Sequence, residues 1–242
     1  MAQVNQAKCI GCKFCMTYCT VDAIHLKDKK CSIDQDECVE CYVCIRQKVC
    51  PRNAIEPSPL DTFYKEFKHM MSDPVENHPV TGVTGRGTEE VKTNDVSGRV
   101  RRGQVGFSID MGRPGLGVYL RDAEKVAMAM CKVGVELAPA EQSPLAALMP
   151  DKSSGKLKAD SLDTRLLSVI IEGHCREEKL KDVLIALRKV EKEIDTVFSV
   201  GLILRVDEQG KNNTLRCLDE LNIPQPHRGK VNVGLGRPLV TD

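Results

Sequence analysis

The sequence predicts an α+β protein made of a cysteine-rich N-terminal module and a C-terminal α/β sandwich with a largely antiparallel sheet. Nine of the 12 cysteines lie within the first fifty residues, and eight of these nine form two spaced runs. From residue 104 onward, segments with strand and helix periodicity alternate. Two predicted strands, at 105–111 and 231–235, are each followed by Gly-Arg-Pro, which predicts pseudo-repeated β-α-β units. We expect the module at residues 1–56, a linker helix and polar arm at 57–103, and the sandwich at 104–242.

The cysteines of the module form two runs in which the first three members have the same spacing. Three thiolates, each three residues from the next, can surround one face of a cubane, and a distant fourth closes the cage. The runs resemble those of bacterial two-cluster ferredoxins, in which the fourth cysteine of each run ligates the other cluster. Carried over by position, the resemblance implies two 4Fe-4S clusters. The first would be held by Cys9, Cys12, Cys15 and Cys50, and the second by Cys38, Cys41, Cys44 and Cys19.

The runs depart from the ferredoxin pattern in two places. Thr20 follows Cys19, where ferredoxins usually have proline, and two extra residues precede Cys50. We expect these changes to alter the hydrogen bonds around the clusters and their potentials, and to leave the ligands in place. A ninth cysteine, Cys31, either substitutes for Cys19 or is free. We also expect Phe14, Tyr18 and Tyr42 to line the clusters as apolar bulk that excludes water.

A pair of structural zinc sites is the alternative for the same cysteines, because Cys-x2-Cys pairs are also typical of zinc. A zinc ion takes two such pairs. The sequence instead has two triads and two single cysteines, so the spacing favours clusters.

Composition excludes several functional classes. The chain of 242 residues has a formal net charge of +1 and 41% hydrophobic residues, which is not typical of a nucleic-acid binder or a disordered protein. There is no N-terminal signal region, and no apolar run reaches the ~20 residues that span a bilayer. We therefore expect a cytoplasmic, reducing and anaerobic setting with no nucleic acid and no membrane as partner.

The periodic patterns give the order of the elements. Alternating apolar and polar residues predict strands, and apolar residues three or four apart predict helices. After a proline-containing linker at 57–59, an amphipathic helix is expected at 60–71. The sandwich is predicted to follow as strand 105–111, helix 122–133, strand 134–138, strand 166–172, helix 177–194, strand 196–206 and strand 231–235.

Two further segments are candidates for anion binding. Gly112-x-x-Gly115-x-Gly117 follows a predicted strand, but its glycine order does not fit the dinucleotide fingerprint, so a tight turn is favoured. Arg86, Arg99 and Arg102 lie in or beside a glycine-rich arm and are candidates for binding flavin phosphates or an acidic partner. A solvated loop is the alternative, and composition does not decide between them. No catalytic residue is predicted.

Longer motifs point to one family. They are 84–99, 102–106, 111–115, 122–126 and 232–239. Together with the cysteine runs, these segments resemble the N-terminal half of 6-hydroxynicotinate reductase. The resemblance implies an iron–sulfur flavoprotein reductase that delivers low-potential electrons to a ring or an enoyl-type double bond. The sequence ends at Asp242, before the flavin and substrate portion of that family, so we expect any flavin in a partner or at an interface.

The sequence therefore predicts an iron–sulfur electron-transfer subunit rather than an enzyme. It would relay single electrons between a low-potential, ferredoxin-like donor and a flavoprotein oxidoreductase partner, as part of a hetero-oligomer. Two alternatives are an enzyme component like 6-hydroxynicotinate reductase, acting on an N-heterocycle or enoyl-type substrate, and a redox-sensing or assembly module.

Overall fold

A computed structural model describes residues 2–80, 82, 100–113, 115–205, 207, 209 and 211–224. Within these residues the chain is a mixture of helices and antiparallel sheets, as predicted. The strands are β1 (Ala2–Val4), β2 (Ile24–Lys27), β3 (Lys30–Ile33), β4 (Ile55–Pro57), β5 (Gln104–Met111), β6 (Val118–Tyr119), β7 (Glu136–Leu137), β8 (Arg165–Leu166), β9 (Val169–Arg176) and β10 (Phe198–Leu204). The α-helices are α1 (Val43–Arg46), α2 (Phe63–Ser72), α3 (Leu120–Lys132), α4 (Leu180–Val190) and α5 (Arg216–Glu220).

Two antiparallel strand pairs frame the cysteine-rich module. β1 pairs with β4, so that Val4 lies opposite Ile55 and the start of the chain is joined to the end of the second cysteine run. β2 and β3 form a hairpin whose two-residue turn, Asp28 and Lys29, has positive φ at both positions. Such a turn matches the twist of the flanking strands. The hairpin therefore projects between the two cysteine runs.

The internal repeat of the sequence is also a repeat of backbone conformation. Left-handed residues occur at matching positions on both sides of the second cysteine of each run, and again three residues after the fourth cysteine. Each third cysteine lies in a short helical turn, Phe14–Tyr18 in the first run and α1 in the second. The matching left-handed pairs are Gly11 and Glu40, Lys13 and Tyr42, and Asp22 and Asn53. The two runs therefore bend around their sites in the same way.

The sandwich contains a four-stranded sheet among the described residues, in the order β10-β5-β9-β7 with every neighbouring pair antiparallel. Helices α3 and α4 contact each other, and their apolar stripes share one core with β5. In β5 the alternate residues Val105, Phe107, Ile109 and Met111 are fully buried. The helix stripes contribute Leu120, Ala123, Val126, Ala127, Met130, Leu180, Val183, Leu184, Leu187 and Val190.

The predicted elements are present with shifted ends. Helix 122–133 starts at Leu120, and helix 177–194 is an α-helix only over Leu180–Val190, with 3-10 turns on either side. The strand predicted at 166–172 divides into β8 and β9. The strand predicted at 231–235 and most of the polar arm lie outside the described residues. No helix in the part of the chain that is described is both long and apolar enough to cross a bilayer.

Candidate iron–sulfur centre

The structure brings the second predicted ligand set together. The four cysteines line one pocket of about 340 Å³, measured out to its open mouth, between the cysteine-rich module's two runs. Thr20, Ile24, Ile33 and Val39 are among the other residues that line it. Cys19 is therefore placed with the triad of the other run, as the crossed pairing requires. The four cysteines are Cys19, Cys38, Cys41 and Cys44.

The first triad is also grouped, and the Cys31 thiol lies beside it. Cys12 and Cys15 interact electrostatically, and the Cys31 thiol lies within hydrogen-bonding reach of both Cys9 and Cys15. The Cys31 N–H also donates to Cys9 Sγ over 3.4 Å. The expectation that Cys31 would substitute for Cys19 does not fit this geometry, because Cys31 faces the first triad and Cys19 faces the second.

Backbone N–H groups donate to the sulfurs of the two crossing cysteines. Ala23 N–H donates to Cys19 Sγ over 3.1 Å, and Ala54 N–H donates to Cys50 Sγ over 3.2 Å. Each donor lies four residues after its cysteine, so the two bonds are equivalent in the internal repeat. N–H donation to sulfur stabilises a thiolate, which is the form that binds iron. These donors fit a cluster in both sites.

Burial and mutual repulsion oppose ionisation of the bare thiols. Burial raises the pKa of Cys44 to about 12, and the Cys41 and Cys19 thiols add to the shift. Burial, followed by the nearby Glu40 carboxylate, raises the pKa of Cys38 well above its usual value. Burial and the Cys31 thiol raise the pKa of Cys15 to about 12. Bound iron supplies the positive charge that these thiolates need.

The pKa of Cys9 moves in the other direction. Burial alone would raise it, but backbone N–H groups of Cys31 and Gly11 donate to the sulfur and the pKa falls below its usual value. Cys41 has an intermediate environment, in which burial raises the pKa and the Thr20 hydroxyl, 3.1 Å from Cys41 Sγ, lowers it.

Among the described residues, no three His, Cys, Asp or Glu side chains are grouped closely enough to hold one metal ion. A cubane requires a wider arrangement, because each of its four irons takes its own thiolate. The cysteine geometry is compatible with that wider arrangement.

Helix α2 holds the second run in place from the outside. Lys68 Nζ donates to the Cys38 carbonyl over 3.0 Å, and a ring nitrogen of His69 lies 2.8 Å from the Glu40 carbonyl. Arg46 binds both carboxylate oxygens of Asp73, the residue that ends α2, at 2.7 Å, and also donates to the Cys41 carbonyl. These contacts fix the backbone between the cysteines, which sets where the sulfurs point.

The three aromatic residues expected to line the clusters differ in their placement. Tyr18 and Tyr42 line the pocket of the second ligand set, as expected. Phe14 is 53% exposed and contacts Tyr18, so its expected role in excluding water is wrong. Ile10 is 62% exposed as well, so apolar surface beside the first triad faces outward.

The anion-binding candidates lie largely outside the described residues. This holds for Arg86 and Arg99, whereas Arg102 is exposed at the turn that leads into β5. The glycine-rich segment after β5 is a turn with positive φ at Gly112, Gly115 and Gly117, in agreement with the tight-turn interpretation. Residue 114 is not described.

Known proteins share the cysteine-rich part of the chain. The 4Fe-4S binding domain family model matches residues 2–25. A ferredoxin from Rickettsia felis is 30% identical over 86 residues, which make up 35% of this chain and 75% of that ferredoxin. The protein named Ferredoxin 7Fe from Hydrogenibacillus schlegelii is 42% identical over 57 residues, or 70% of its own length. The chain belongs to the ferredoxin family.

The ferredoxin likeness covers about a third of this chain. It establishes 4Fe-4S clusters as cofactors and iron–sulfur electron transfer as the function of this ferredoxin-family member. A component of an ion-translocating oxidoreductase complex from Methanosarcina acetivorans is 40% identical over 53 residues, and this chain spans only 19% of that component. No solved structure gives a significant match.

Proposed function

We propose that this chain is an electron-transfer subunit that relays single electrons through two 4Fe-4S clusters, between a ferredoxin-like donor and a flavin-containing oxidoreductase partner. The first triad with Cys50 would hold one cluster, and the second triad with Cys19 the other. The observation that carries the proposal is the different surroundings of the two thiol sets. One set borders an open face of the module, and the other lies in a pocket next to the sandwich.

The open face has the exposed apolar side chains expected of a docking site for a redox partner. Cys12 is exposed and lies between the exposed apolar side chains of Ile10 and Phe14 in the chain. The charges around it are mixed, because Lys8 pairs with Glu56 and the exposed Asp28 lies next to Lys27 and Lys29. Apolar contact at the centre with both signs of charge around it is typical of an interface between proteins.

The second set lies against the sandwich. Leu167, which precedes β9, packs with Val21, Ala23 and Val39, and the same cluster includes partly buried Cys19, Cys38 and Cys41. Gly115 N–H donates to the Thr20 carbonyl over 2.5 Å. An electron on the second cluster is therefore screened from solvent on the sandwich side, which favours transfer to a bound partner over loss to solutes.

The proposal also includes the domain boundaries, the internal repeat and the family kinship that the sequence predicts. These are the boundaries 1–56, 57–103 and 104–242, the pseudo-repeat of β-α-β units, and the kinship with 6-hydroxynicotinate reductase. The relative from Methanosarcina is named as part of an oxidoreductase complex, which supports a hetero-oligomer. Any flavin would be held by the partner or at the interface, and the candidate phosphate contacts are those that the sequence predicts, Arg86, Arg99 and Arg102.

Anaerobic purification of the full chain tests the proposal in two steps. We expect about eight iron and eight sulfide per chain. A content of about seven iron would instead indicate one incomplete cluster, and zinc without sulfide would contradict the cluster assignment. The dithionite-reduced chain is then mixed in a stopped-flow instrument with the flavoprotein that copurifies with it. Cluster reoxidation and flavin reduction should have the same rate.

Two results would favour the other functions. If the chain alone reduced an N-heterocycle or enoyl substrate with a viologen donor, it would be a reductase and not a relay subunit. If no electrons passed to the copurifying flavoprotein while cluster loss changed its affinity, a redox-sensing module would be the better description.

A further inference from the structure

Cys31 points from the hairpin at the first triad. It lies in β3 and is 2% exposed. It shares a hydrophobic cluster with Cys9 and Cys15, and its thiol reaches both of theirs. Its own N–H donates to Cys9 Sγ. Cys31 is therefore a fifth thiol beside a site that needs four.

The register of the hairpin explains this position. Residues two apart in a strand point to the same face, about 7 Å from each other. Ile33 is two residues after Cys31 and lines the pocket of the second set. One face of β3 therefore borders both sites, and it presents an apolar side chain to the second and a thiol to the first.

The segment before Cys50 is unusually long for a fourth ligand. Five residues separate Cys44 from Cys50, whereas three separate Cys15 from Cys19. The extra length includes Lys48, a non-glycine residue with φ of 48°. The connection to Cys50 therefore differs in length and backbone conformation from the connection to Cys19, although each sulfur accepts one backbone N–H. Cys31 is fixed by the hydrogen bonds of the hairpin.

We infer that Cys31 is a reserve ligand of the first cluster and can replace Cys50 as its fourth thiolate. This inference rests on the proposed function, because it requires a cluster on the first triad. In the exchange, the Cys31 thiol gives up its proton as its sulfur bonds iron. The Cys50 thiolate takes up a proton as its bond to iron breaks. No electrons are gained or lost, so no oxidant or reductant is needed.

Alanine variants of the full chain test the inference, because alanine cannot ligate iron. The set is Cys50→Ala, Cys31→Ala, the double variant, and Cys19→Ala as the matched control in the other site. Each is purified anaerobically and compared for iron and sulfide content and for the EPR spectrum of the reduced protein. Far-UV circular dichroism checks the fold, and Cys31→Val fills more of the buried volume if Cys31→Ala folds poorly.

We expect Cys50→Ala and Cys31→Ala each to keep the iron content of the wild type. The double variant should lose between one iron and the whole first cluster, because one iron of the cubane no longer has a thiolate. Cys50→Ala should also show a changed EPR spectrum for the first cluster only. Cys19→Ala should lose between one iron and the whole second cluster, because Cys31 faces the first triad and not the second.

Three results would overturn the inference while leaving two clusters in the wild type. They are loss of one or more irons from the first cluster in Cys50→Ala alone, the same loss in Cys31→Ala alone, or full iron in Cys19→Ala, which would show that a fourth thiol is dispensable. A wild-type chain without iron and sulfide would instead overturn the proposed function itself.

Discussion

Thr20 is a single residue whose effect on the second site follows from one contact. It stands where the ferredoxin pattern has proline, and its hydroxyl oxygen lies 3.1 Å from Cys41 Sγ. A hydroxyl that donates to a ligand sulfur stabilises the more negative, reduced state of a cluster. Threonine at this position brings a hydroxyl within hydrogen-bonding distance of Cys41 Sγ, which proline could not do.

Thr20→Val should lower the reduction potential of the second cluster. Loss of a hydrogen bond worth about 1 kcal/mol more in the reduced state corresponds to about 40 mV for a one-electron couple. Thr20→Ser keeps the hydroxyl and serves as the control. EPR-monitored redox titration resolves the two clusters, and an unchanged second potential in Thr20→Val would show that the hydroxyl does not donate to Cys41.

The elements that sequence could predict are those with a long apolar period. The stripes of α3 and α4 and the alternation of β5 each span seven or more residues, so burial of one face is visible in the pattern. The hairpin could not be predicted, because its turn is Asp28-Lys29 without the glycine that usually marks such turns. Two- and three-residue strands such as β1 and β6 are too short to show a period.

The same limits apply to the candidate site. The resemblance to two-cluster ferredoxins groups Cys19 with the second triad, because the fourth cysteine of each run ligates the other cluster in that family. It could not place Cys31, whose side of the hairpin depends on strand register and on a turn with no sequence signal. Contacts between distant segments decide such positions.

The loop between Cys9 and Cys12 packs against the hairpin, and this contact gives a test at the scale of secondary-structure elements. Gly11 has φ of 67°, and a Cβ there would lie 2.0 Å from the Lys29 carbonyl oxygen in the hairpin turn. Gly11→Ala should therefore push the loop between Cys9 and Cys12 away from the hairpin. We expect loss of the first cluster with the second retained, measured by iron content and EPR.

Gly103→Ala is the matched control for Gly11→Ala. Gly103 has a similar φ of 77°, but a Cβ there would meet nothing within 4 Å. It therefore reports the cost of the left-handed backbone alone, about 1–2 kcal/mol. Equal cluster loss in the two variants would mean that strain, and not contact with the hairpin, disturbs the site.

At the scale of the whole molecule, the cluster module and the sandwich are joined by polar contacts at their boundary. Ser72, at the end of α2, accepts a hydrogen bond from Leu167 N–H, and both groups are buried. The Glu37 carboxylate binds the Arg165 guanidinium and accepts a hydrogen bond from the Tyr119 hydroxyl. The side chain of Arg165 is only 10% exposed, so its charge depends on this partner. These contacts predict that the two parts unfold together.

Glu37→Gln should weaken that coupling, because it leaves the Arg165 charge buried without its carboxylate. Breaking a fully buried pair costs about 3–5 kcal/mol. Glu37 is 41% exposed, so solvent screening reduces the expected cost to about 1–2 kcal/mol.

The measurement is unfolding in increasing concentrations of urea, with the same incubation time at each concentration. In the wild type, the absorbance of the clusters and the far-UV circular dichroism should change over the same range of urea concentration. In Glu37→Gln the cluster absorbance should be lost at lower urea than the helical signal. Glu178→Gln removes an exposed pair with Arg176 and should leave the two curves coincident. Curves that stay coincident in Glu37→Gln would show that Leu167 and the α2 contacts couple the two parts without this ion pair.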